Sequence, residues 1–191
     1  MLTHLGPLHA IAACRGEGLR FELASLLGHS ASALRTGSGE MKMSREQDNK
    51  ALVGRWFEGF WGNPWNPRII DELAAPDMLL QYSLHAPRRG REEVRNFMAD
   101  FRAAFPDLKF WGAADLIAEG DYVVGRWEGG GTHTGSAFSD FLAGSLPAAS
   151  GRKMHFTGTT VLRVENGRIA EEVGLDDGVT ALTQLGILRA A

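Results

Sequence analysis

Cysteine occurs once among the 191 residues, at Cys14, and that scarcity removes several function classes. No intrachain disulfide can form, and no cluster of thiolates can hold a metal. The usage fits a reducing compartment, so a cytoplasmic location is expected. Long apolar runs are missing too: nothing approaches the roughly 20 residues that a membrane span needs, and no membrane partner is expected. Charge of one sign is nowhere concentrated. The net charge is −3, and no basic face suits a nucleic acid. His85, His133 and His155 stand far apart with no His-x-x-x-His pair, so no metal site is expected. A dinucleotide fingerprint is absent, and activity without nicotinamide, flavin or other cofactor follows as an expectation. Gly129-Gly130-Gly131 lies within a strand pattern rather than between strand and helix, which favours a strand bend over a phosphate cradle.

What is present suits one domain, since 44% of the residues are hydrophobic, enough for a proper core. Residues 1–43 differ from the rest, with three of the six histidines, Gly37-Ser38-Gly39 and no helix or strand period. Ile11-Ala12-Ala13-Cys14 resembles a bacterial lipobox, but the preceding stretch has no positive start and is interrupted by His4, Pro7 and His9. These residues read as a poorly ordered extension. The folded domain is expected over 44–191, opening at Ser44-Arg-Glu-Gln47, a capping-box signature.

A helix is predicted over 45–61, with Leu52, Val53, Trp56, Phe57, Phe60 and Trp61 on one stripe. Asn66 and Pro67 fit the start of a short helix through Ile70 and Leu73. A strand over 78–84 follows, then a third helix carrying Val94, Phe97, Met98, Phe101 and Phe105 and stopped by Pro106. The period then changes. Residues 108–119, 122–133, 154–164 and 168–175 read as strands, and Gly120-Asp121 and Asn166-Gly167 are compact turns that make neighbours antiparallel. A last helix is expected with Val179, Leu182 and Leu185. Helices followed by a meander and a closing helix make an α+β layout.

Several segments then carry a resemblance. They are Ala75-Pro76-Asp77, Gly90-Arg91-Glu92-Glu93, Phe105-Pro106-Asp107 and Gly120-Asp121 through Arg126-Trp127. Gly131-Thr132-His133-Thr134-Gly135, Phe156-Thr-Gly158, Glu165 through Glu172, Asp177 and Gln184-Leu185-Gly186 continue the series. In order and spacing, residues 49–188 resemble the SnoaL-like polyketide cyclases of the nuclear-transport-factor-two-like superfamily. The resemblance implies a cone-shaped α+β barrel, a strongly bent antiparallel sheet wrapped around the N-terminal helices, and commonly a homodimer. It implies an intramolecular aldol ring closure on a polyketide-like ester or other small apolar carbonyl compound. Relatives on this fold also dehydrate, isomerise or hydrolyse, and some only bind, so those readings stay open.

Ring closure of this type needs one proton taken from carbon and one delivered to oxygen, work that a single desolvated carboxyl can do. The family's acid/base is an aspartate near the end of the last strand, which the resemblance maps to Asp177, counting back from Gln184-Leu185-Gly186. Strand alternation places Val173, Leu175 and Asp177 on one face and Asp176 on the other. An aspartate before a helix is also a standard cap, which favours its charged form. His133 is the second catalytic candidate, sharing a face with Trp127; its competing role is a bond to a turn carbonyl. Gln81 stands where many relatives have histidine, and with Tyr82, Trp56, Phe60 and Trp127 it is the expected substrate lining. Each of these aromatics also suits a plain core. His155 reads as an outer-face residue, and His85 lies in a loop without a nameable partner. The stretch 136–150 is long for a link between strands, with Phe138, Phe141, Leu142 and Leu146 as an apolar side, and is expected over the cavity mouth or a subunit contact.

Deletion of residues 1–43 should leave a folded domain, because they carry no periodic apolar face. Thermal melts of the full and truncated chains should then coincide; aggregation of the truncated chain would refute the boundary.

Overall fold

The computed structural model describes residues 44–189; the extension 1–43, with Cys14 and its lipobox-like neighbours, lies outside them. Helix α1 (Arg45–Trp56) starts where the capping box puts it, with Ser44 Oγ accepting from the Gln47 amide at 3.3 Å. The coil then widens into a π-helical turn, Phe57–Trp61, in which Gly62 N–H donates to the Phe57 carbonyl. Residues five apart overlie one another in such a turn, so Trp56 and Trp61 emerge on the same side. The short α2 (Ile69–Leu73) leads directly into β1 (Ala74–Gln81). After β2 (Arg88–Arg89), α3 (Arg91–Ala104) buries Val94, Phe97, Met98 and Phe101 along one stripe, as its period requires.

The remaining strands are β3 (Lys109–Gly112), β4 (Ile117–Glu119), β5 (Tyr122–Thr132), β6 (Phe138–Phe141), β7 (Gly144–Leu146), β8 (Lys153–Glu165) and β9 (Arg168–Asp176). Seven of the nine strands make one sheet in the order β2-β1-β9-β8-β5-β3, with β4 also paired to β5 and β6–β7 standing apart as a hairpin. The result is an α+β fold with a curved, open sheet against the helices and α4 (Gly178–Gln184) closing the chain. All pairs are antiparallel except β1 with β9, which run parallel. The turn signals in the second half could not show that pair, because its strands are joined through the whole intervening meander.

Three local differences have physical causes. The strand expected over 78–84 begins at Ala74 and ends at Gln81, with a register irregularity between Ala74 and Leu79 that takes in Pro76. The strand expected over 108–119 is two strands, β3 and β4, lying against different parts of β5. In α4 the buried residues are Ala181 and Leu182, with Leu185 just beyond, whereas Val179 is exposed. The stretch 136–150 forms the hairpin β6–β7, whose Phe138, Phe141 and Leu146 are buried while Leu142 is exposed. No helix among the described residues is long and apolar enough to cross a membrane.

Glycines let the aromatic core approach the sheet. A Cβ at Gly158 would lie 2.1 Å from Trp127 Cζ2, and one at Gly174 would lie 2.1 Å from Tyr82 Cε1. Both rings therefore lie flat on bare backbone. Gly158→Ala should displace the Trp127 indole and lower stability by about 1–3 kcal/mol, the usual cost of overpacking. Urea denaturation checks this, and an unchanged midpoint would show that the indole has room to move.

Candidate active site

The β9 residues that face the helices are Glu172, Gly174 and Asp176, while Val173 and Leu175 point outward, the latter 78% exposed. Alternation along the strand is as expected, but the inward face is the opposite one. The reason is steric: Gly174 makes room for the Tyr82 ring, and the aromatic residues of the first half fill the interior.

Glu172 is completely buried and lies where three elements meet. Trp56 Nε1–H donates to Oε2 at 2.7 Å, Trp61 Nε1–H to Oε1 at 2.8 Å, and the Tyr82 hydroxyl to Oε1 at 2.6 Å. Burial pushes the carboxyl pKa up, opposed by these three donors. The Tyr82 phenol is held well above its ordinary range by burial and by the neighbouring Glu172 charge. It therefore stays a donor at physiological pH. No signal in the sequence singled out Glu172; its place two residues before Gly174 on the same strand face is the only trace.

Trp61 and Tyr82 pass from this clamp to the wall of a cavity with about 370 Å³ of empty space, open mouth included. Phe57, Leu84, Phe101, Phe110, Trp127 and Phe156 complete its apolar lining, and the polar members are His85 and Asp176. Trp127, Gly158 and Asp176 stand in one row across β5, β8 and β9, so the indole lies over Gly158 beside the strand that carries the carboxyl. Trp127 Nε1 is buried and has no hydrogen-bond partner. Desolvation raises the Asp176 pKa; a hydrogen bond from Ser83 and the proximity of His85 pull it the other way without reversing it. A carboxyl kept closer to neutrality, in an aromatic slot, can both give and take a proton.

The residues expected from the sequence divide. Asp177 is exposed and caps α4, its Oδ1 accepting from the Thr180 amide at 3.2 Å, and it is not among the cavity residues. His133 is buried at the end of β5, away from that lining. Its Nδ1 accepts from the Ser150 amide at 3.3 Å, so Nε2–H donates to the Ser136 carbonyl at 2.7 Å. The ring pins both ends of the hairpin segment. Gln81 is exposed on β1, opposite Val173. Trp56 and Phe60 are fully buried and stack with centroids 4.3 Å apart, behind the cavity wall. Tyr82 and Trp127 are among the residues that line the cavity.

A family model described as SnoaL-like polyketide cyclase matches residues 51–185, well over half of the chain. The chain belongs to that family. Solved SnoaL-type structures share its fold. A provisionally named SnoaL-like polyketide cyclase from Jannaschia sp. CCS1 is 22% identical, with 79% of this chain and 100% of that one covered at a TM-score of 0.64. TsrD from Streptomyces laurentii is 24% identical, covering 77% and 100% at 0.60. Wild-type IdmH from Streptomyces antibioticus, provisionally named a polyketide cyclase, is 29% identical, covering 75% and 99% at 0.52. No protein of curated function matches the sequence significantly.

Within this SnoaL-like fold, Asp176 should cost stability wherever it is ionised. Its folded pKa is raised above the ordinary 3.8, so the folded state holds the proton more tightly than the unfolded one. The cost is present at neutral pH and fades as pH falls through the folded pKa toward 3.8. Asp176→Asn, whose side-chain oxygen still accepts from Ser83, should therefore raise the urea midpoint at neutral pH. That gain should shrink on acidification. A gain that is absent, or that grows in acid, would contradict the desolvated carboxyl.

Proposed function

We propose that the chain catalyses acid/base ring closure of the intramolecular aldol type on a small, planar, apolar carbonyl compound, with Asp176 as the proton-transfer group. The observation that carries this reading is the single carboxyl, raised toward neutrality by desolvation, in a cavity lined almost wholly by aromatic side chains. Ring closure moves one proton off carbon and one onto oxygen, and no redox step enters the balance. The unpartnered Trp127 N–H offers a donor to the carbonyl oxygen, where negative charge develops. Family membership supports cyclase chemistry and leaves the substrate to the cavity.

The test uses β-tetralone, a flat bicyclic ketone with activated protons beside its carbonyl. Its exchange of those protons for deuterium in deuterium oxide is followed by NMR with and without protein. The wild-type chain should accelerate exchange, and Asp176→Asn should lose about 10²–10⁴-fold of that acceleration, the usual weight of a general base. Asp177→Asn keeps the α4 cap and should exchange like wild type. No acceleration by wild type, or full activity in Asp176→Asn, would overturn the reading.

A further inference from the structure

His85 is the other polar residue of the cavity, and its surroundings define its proton. The side chain is buried among Phe97 and Phe101 of α3 and Phe138 and Phe141 of the hairpin, with the Phe141 ring stacked at 5.2 Å. Nδ1 lies 3.3 Å from the main-chain carbonyl oxygen of Asp140 and 3.4 Å from that residue's Oδ2. A carbonyl oxygen only accepts, so in the neutral ring Nδ1 carries the hydrogen. Nε2 is left with its lone pair, on a ring that lines the same cavity as Asp176. Asp140 belongs to β6 and is itself paired with Arg88. Burial pushes its carboxyl up, but His85 and Arg88 outweigh that, and it stays ionised below the usual carboxylate range.

We propose that His85 is a second catalytic residue, a general base acting through Nε2, and that Asp140 is the positioning residue that fixes its tautomer and supports its charged form. This rests on the ring-closure reading above and divides its proton transfers between two groups. His85 Nε2 takes the proton from the carbon beside the carbonyl, and the C–H electron pair becomes the C=C bond of an enol. The carbonyl oxygen takes the Asp176 proton in the same event. The enol carbon then bonds to a second carbonyl carbon of the same molecule, whose oxygen receives the proton from His85. The enol hydroxyl returns its proton to Asp176, so the site is restored and nothing is consumed. The hairpin β6–β7 acquires a purpose in this account: it seats the imidazole on aromatic rings and supplies its carboxylate.

Two measurements on the full chain decide it. In protein labelled with nitrogen-15 at histidine, the assigned His85 ring shifts should show Nδ1–H and a bare Nε2 when neutral; an Nε2–H tautomer overturns the proposal without any variant. In the β-tetralone exchange assay, His85→Gln should lose about 10²–10⁴-fold. Asp140→Asn should lose less but move the rising limb of the pH profile to lower pH, because the imidazolium loses its anion. The charged or titratable groups near the ring are Asp140, Arg88, Asp176 and Tyr82, and only the first is altered. An unmoved limb would make Asp140 a merely structural residue and refute the dyad. Loss of exchange in Asp176→Asn with full exchange in His85→Gln would overturn the dyad while leaving the ring-closure reading intact.

Discussion

Glu172, a carboxyl without any exposure, is held by three neutral donors, and the site is arranged around that clamp. A hydrogen bond to a charged group is worth about 1.5–3 kcal/mol net, while a buried charge left unpaired is far more costly. The carboxyl therefore demands its donors, and the chain supplies them from distant places. Two come from the junction of α1 with the π-helical turn, which alone sets indoles five residues apart on one side. The third comes from Tyr82, just beyond β1. Trp61 and Tyr82 are thus fixed at one end by Glu172 and present their other faces to the cavity. The Arg102 guanidinium secures the same turn by donating to the carbonyls of Phe60 and Gly62, and burial lowers its pKa to about 10.

One strand face carries two carboxyls with separate tasks. Glu172 and Asp176 are both raised by desolvation, yet Glu172 accepts from three side-chain donors and Asp176 has chiefly the Ser83 hydroxyl. The first group is fully buried behind the aromatic rings that it holds. The undersaturated group belongs to a residue that lines the cavity. Gly174, between them, provides the bare backbone on which Tyr82 lies, so the spacing Glu-Gly-Asp serves packing and chemistry together.

Most of the fold was legible because it rests on local pattern. The stripe Val94, Phe97, Met98, Phe101 and the turns at Gly120-Asp121 and Asn166-Gly167 determine their elements without help from distant residues. The site was harder. Period two along β9 says that Asp176 and Asp177 face opposite ways, but it does not say which way is in. Val173 and Leu175 suggested the apolar face was the inner one, and aromatic filling from α1, the π-helical turn and Tyr82 reversed it. Asp177 shows the competing outcome directly, since a residue that caps a helix has its carboxylate turned to backbone amides. His133 likewise answers to the hairpin backbone. The pairing of His85 with Asp140 spans 55 residues and joins a loop to a hairpin, so no period encodes it.

The account stands on the ionisation of Asp176, and that can be observed directly. Carbon-13 labelling of the aspartate side chains allows the Asp176 carboxyl to be titrated by NMR in the full chain, without substrate. Desolvation predicts a midpoint clearly above that of an ordinary aspartate. A midpoint within or below the ordinary range would mean that the cavity leaves this group a plain anion, and the proposed acid/base role would fail.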